Sequence, residues 1–68
     1  MKYETEIKQL LEENGEDRYL IPGYGFDLHQ FDKDFRSRFG QVPFWEEILY
    51  DIACNKMAEE VLRKRGLI

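Results

Sequence analysis

Six of the twenty residues from Phe26 to Trp45 are Phe or Trp, and their spacing constrains the fold more than any other feature of the chain. Phe31, Phe35 and Phe39 recur every fourth residue, so a helix turning about 100° per residue gathers them on one face with Leu28. Gly40-Gln41-Val42-Pro43 breaks the pattern before Phe44-Trp45 opens another. The stretch predicts a helix, a tight break and a second helix, joined by aromatic side chains that bury about 150–250 Å² each. With 68 residues the chain is a single small domain spanning 1–68. Folding at that size buries only about 60% of the unfolded surface, so the aromatic seam must supply much of the core.

Around this seam the periodicity predicts an all-α, three-helix domain with a long C-terminal helix. A first helix over 2–14 places Tyr3, Ile7, Leu10 and Leu11 on one side and stops at Asn14-Gly15. Arg18 to Phe26 is a connection punctuated by Pro22, Gly23 and Gly25, with Tyr19-Leu20-Ile21 able to run extended. The second helix covers 27–39, with Asp27 as N-cap and Gly40 as stop. The third covers 44–65, entered through Pro43; Arg63, Lys64 and Arg65 suit its negative end, Gly66 ends it, and Leu67 packs back on the last turn. Helices 2 and 3 then form a helix-turn-helix-like arrangement.

The third helix is apolar on two sides. Trp45, Ile48, Leu49 and Ile52 form one stripe, and Tyr50, Cys54, Met57 and Val61 form another that points nearly opposite. The first is expected to join Ile7, Leu10, Leu11, Leu28, Phe31, Phe35 and Phe39 in the core. The second is expected to meet another protein chain, a second copy or a foreign partner, because methionine adapts to partner surfaces and exposed apolar patches mark contacts. The alternative is that two short helices cover both stripes.

Net charge is −4. It is concentrated in residues 1–17, where two Lys stand against six Asp or Glu. An acidic first helix disfavours phosphate and suits a partner with a basic surface. The lone Cys54 fits a reducing compartment, most simply the cytosol. No apolar run approaches the roughly 20 residues that cross a bilayer, and the first residues carry no signal-peptide pattern, so a cytoplasmic protein is expected.

Catalytic and metal chemistry find little to assemble. His29 is the only histidine, and zinc-type Cys/His spacings are missing. A Cys54–His29 nucleophilic pair would need a thiol that sits in an apolar helical stripe, where thiols are inert packing. Glu46-Glu47 and Glu59-Glu60 are adjacent on a helix and diverge by about 100°, so neither pair shares an acid/base face. Gly23-Tyr24-Gly25 is too short to cradle a phosphate, but it sets Tyr24 at a loop tip as a candidate partner contact. The expectation is no enzyme, no cofactor and no metal.

Phe31-x-x-x-Phe35-Arg36-x-x-Phe39-Gly40-x-x-Pro43-x-Trp45 resembles the second helix-turn-helix of AraC/XylS-type transcription regulators. That resemblance implies a DNA-binding module whose second helix reads the major groove through Lys33, Arg36 and Arg38. It spans about fifteen residues. Val42 stands where those regulators carry Thr or Ser, Asp32 and Asp34 flank the basic residues, and the companion helix-turn-helix is missing.

The leading expectation is a small acidic helical interaction protein that binds another protein as regulator, inhibitor or adaptor, of the kind phages and mobile elements encode. Its partner-binding candidates are Tyr24, Tyr50, Cys54, Met57 and Val61, with a homodimer as one form. The alternative is the DNA-binding module.

Overall fold

The computed structural model describes residues 2–68. Three helices surround one core: α1 (Glu4–Asn14), α2 (Leu28–Phe39) and α3 (Glu47–Lys64). Between α1 and α2 runs a two-stranded hairpin, β1 (Leu20–Ile21) and β2 (Gly25–Phe26). Short 3-10 turns over Glu16–Tyr19 and Phe44–Glu46 lead into the hairpin and into α3. Each helix packs against the other two.

Sequence punctuation sets the ends. Gly15 takes φ 84° and its N–H donates to the Leu11 carbonyl at 2.7 Å, closing α1. Asp27 caps α2, its Oδ1 accepting from the Gln30 N–H at 3.0 Å. At the other end of the chain the Leu67 N–H donates to the Leu62 carbonyl at 2.8 Å, as a Schellman turn requires. The Leu67 side chain nonetheless stays largely exposed, so only the backbone folds back there. The extended segment at Leu20–Ile21 finds its partner in Gly25–Phe26, with Leu20 opposite Phe26.

Aromatic rings tie the elements together. Phe35 lies 4.9 Å from both Phe39 and Tyr50, ring centre to ring centre, and 6.3 Å from Tyr3 and Phe31. Phe31 meets Tyr19 edge-on at 5.1 Å. Ile7, Leu10, Phe31 and Phe35 are buried as expected, and Leu11, Leu28 and Phe39 are half-buried against them.

The expectation for α3 is overturned. Ile48, Leu49 and Ile52 are exposed, while Tyr50, Cys54, Met57 and Val61 form its core face with Ala53 and Ala58. A core face must run the length of a helix. From Tyr50 to Val61 every inward position, Tyr50, Ala53, Cys54, Met57, Ala58 and Val61, is apolar or small. The Ile48/Ile52 stripe instead continues into Asn55, Glu59 and Arg63.

One carboxylate anchors the far side of the core. Asp34 accepts from Arg18 Nε at 2.7 Å and Nη2 at 3.1 Å, from the Tyr19 hydroxyl at 2.7 Å and from Gln30 at 3.0 Å. The Arg18 guanidinium, then Tyr19 and Gln30, hold its carboxyl well below the ordinary carboxylate range, against the opposing effect of burial. A carboxylate with a depressed folded pKa stabilises the fold above its unfolded value of about 3.9, and that contribution fades as pH falls further. The melting temperature should therefore drop between about pH 4 and pH 2, and Asp34→Asn should flatten that drop. An equal slope in the variant would remove Asp34 from the account.

Candidate interaction surface

The first turn of α3 is pinned from behind. Val42 is buried and seats the turn after α2, and the Pro43 carbonyl accepts the Glu46 N–H at 2.8 Å. Glu46 pairs with Lys2 and accepts from the Tyr3 hydroxyl at 2.7 Å. That contact pushes the Tyr3 phenol up to about 12. Glu47 takes both arms of Arg36 at 3.0 Å, and Arg36 also binds Asp32 at 2.9 Å while lying 5.2 Å from the Tyr50 ring centre.

With Glu46, Glu47 and Tyr50 held inward, the intervening residues face solvent. Phe44 is 85%, Trp45 78% and Ile48 75% exposed, and Leu49 and Ile52 are about half exposed. Because an aromatic side chain carries about 150–250 Å² and a branched aliphatic somewhat less, these five expose roughly 600–750 Å². Monomeric soluble proteins rarely expose a contiguous apolar patch beyond a few hundred Å². The backbone beneath the platform is tied to Lys2 and Tyr3 just ahead of α1 and to Arg36 on α2. Its edge is polar: Asp51 is exposed, and past Ile52 the same face carries Asn55 and the Glu59–Arg63 pair.

The sequence-derived candidates fall elsewhere. Tyr24 is 90% exposed at the hairpin tip, and the hairpin packs toward Leu62, at the opposite end of α3 from the platform. Tyr50, Cys54, Met57 and Val61 are buried within this chain and cannot form a free surface. Met57 and Val61 show only edges, with Ile7 and Leu11, in a groove of about 250 Å³ between α1 and α3. Burial pushes the Cys54 thiol up to about 11, so it stays protonated. His29 is exposed, and no hydrogen bond joins it to Cys54. Among the described residues no group of three or more His, Cys, Asp or Glu side chains is placed to hold a metal. Among the described residues no helix is long and apolar enough to cross a membrane.

Tyr50 has an unusual position. Its hydroxyl is buried beside Cys54 and Asp32 without a completed hydrogen bond, and burial drives its pKa strongly upward. An unsatisfied buried hydroxyl is a cost, so Tyr50→Phe should match or exceed wild-type stability, by up to about 1 kcal/mol. A clear loss in a chemical-denaturation curve would show that the hydroxyl has a partner.

The residues of the DNA reading are partly occupied. Arg36 is committed to Asp32 and Glu47, and Arg38 pairs with Glu13 at 3.2 Å. Lys33 alone of the three is exposed without an ion pair among the described residues.

Compared with protein-family models, with curated proteins and with solved structures, the chain matches none.

Composition marks the platform residues as apolar, and bulk alone points them to the core. The contrary signal is the polar continuation of the stripe at Asn55 and Glu59, against the unbroken small and apolar run from Tyr50 to Val61.

Proposed function

We propose that this protein binds another protein, as a regulator, inhibitor or adaptor, and does so through the Phe44–Ile52 platform. The observation that carries this reading is the platform's size in so small a chain. About 600–750 Å² of aromatic and branched aliphatic surface is kept in water by a scaffold that already has a complete core, and such surface gains free energy only when covered. Phe44 and Trp45, at its N-terminal end, are residue types that anchor protein contacts. The acidic side of the molecule, where Glu6 and Glu12 on α1 have no ion pair among the described residues, favours a partner with a basic surface nearby.

Wild type and Ile48→Asp, used as paired baits in the native host, test the reading. A specific protein held by wild type and released by Ile48→Asp supports it. Identical captures by both baits, or recovery of chromosomal DNA fragments in place of a protein, would overturn it.

A further inference from the structure

We propose that the occupant of the platform, when no other partner is present, is a second copy of this chain in a two-fold symmetric dimer. This rests on reading the platform as a contact surface and names what first covers it.

Area is the first argument. A standard protein–protein interface buries about 800 Å² from each partner, and the roughly 600–750 Å² of exposed apolar surface here approaches that amount. A chain of 68 residues also gains more than a large one from covering such surface, since its own core is small.

Charge is the second. Two chains of net charge −4 repel in general, but not at this face. Glu46 is neutralised by Lys2, Glu47 by Arg36, and Lys56 at the far edge by Glu4. Only Asp51 borders the platform without an ion pair among the described residues. The other unpaired carboxylates lie on α1 (Glu6, Glu12), at the α2 cap (Asp27) and over the α1–α3 groove (Glu60). Platform therefore meets platform with the bulk of the negative charge held outside the contact, and Asp51 stays hydrated at the rim.

Geometry is the third. Two copies of α3 packed antiparallel about a two-fold axis between Ile48 and Ile52 set Ile48 of each chain against Ile52 of the other. Phe44 and Trp45 then lie over Asn55 and Lys56 of the second copy, where an aromatic face suits a lysine stem and its ammonium. Such an isologous contact closes at two chains, because each copy presents the same face to the other. A foreign partner taking the same platform displaces the second copy, so dimerisation sets the threshold concentration for that engagement.

Sedimentation and light scattering of the full chain, from about 1 µM to about 1 mM, provide the test. Trp45 is the single tryptophan, so its emission reports the contact directly. The expected result is a concentration-dependent dimer whose formation shifts Trp45 emission to shorter wavelength. Ile48→Asp should raise the dissociation constant on the order of 100-fold while helix content by circular dichroism stays that of wild type. Phe44→Ser, farther from the helix, should act in the same direction. A strict monomer up to about 1 mM overturns the proposal. So does a dimer indifferent to both substitutions, or an open-ended series of larger oligomers. A monomer that still captures a protein in an Ile48-dependent way overturns the second copy alone and leaves the wider interaction reading standing.

Discussion

Phe35→Ala is expected to remove about 3–5 kcal/mol of stability, most of what a domain this small possesses. Phe35 is the junction of the core. Its ring touches Tyr3 at the start of α1, Phe31 and Phe39 on its own helix, and Tyr50 on α3. Truncation leaves a cavity that no neighbour can fill, because each surrounding ring is fixed by a second contact of its own. Tyr3 is held by Glu46, Phe31 by Tyr19, Phe39 lies under Arg38, and Tyr50 lies under Arg36. The melting temperature should fall by at least about 12 °C, given roughly 4–8 °C per kcal/mol at this size. Phe39→Ala, at a half-buried ring, should cost visibly less. If Phe35→Ala melts within a few degrees of wild type, the aromatic seam is not the centre of the fold.

Much of this architecture was legible because its signals are local. The four-residue spacing of Phe31, Phe35 and Phe39 gave α2 and its buried face, Asp27 and Gly40 gave its ends, and Asn14-Gly15 gave the stop of α1. Three things were not legible, each for a physical reason. The partner of the extended Leu20–Ile21 segment is two residues, Gly25–Phe26, too short to carry an alternation. The start of α3 lies one turn later than Pro43 suggests, because Phe44–Glu46 coil more tightly as a 3-10 turn. The choice between the two apolar stripes of α3 depends on what α1 and α2 can cover, which is a tertiary property.

Here bulk was misleading. Trp45, Ile48, Leu49 and Ile52 are large side chains, yet the helix buries Ala53, Cys54 and Ala58 beside Tyr50, Met57 and Val61. What the candidate surface needs, a backing of ion pairs from Glu46 to Lys2 and from Glu47 to Arg36, joins residues far apart in sequence. No local pattern announces such pairs.

The orientation of α3 is the claim on which the platform stands, and one pair of variants tests it. Cys54→Asp and Ile48→Asp place the same carboxylate six residues apart on opposite faces of one helix. Cys54 is 5% exposed, with Asp32 and Asp51 already close enough to raise its pKa, and the nearby Arg36 already holds two carboxylates. A new charge there is buried unpaired among like charges and should cost several kcal/mol, enough to abolish cooperative folding. Ile48 is 75% exposed, and its replacement should alter monomer stability by no more than about 0.5 kcal/mol. Thermal unfolding followed by circular dichroism, at protein concentrations low enough to keep the chain monomeric, reads both. The expected result is a wild-type-like transition for Ile48→Asp and no cooperative transition for Cys54→Asp. The reverse, a stable Cys54→Asp and an unfolded Ile48→Asp, would contradict the account and return Phe44–Ile52 to the core.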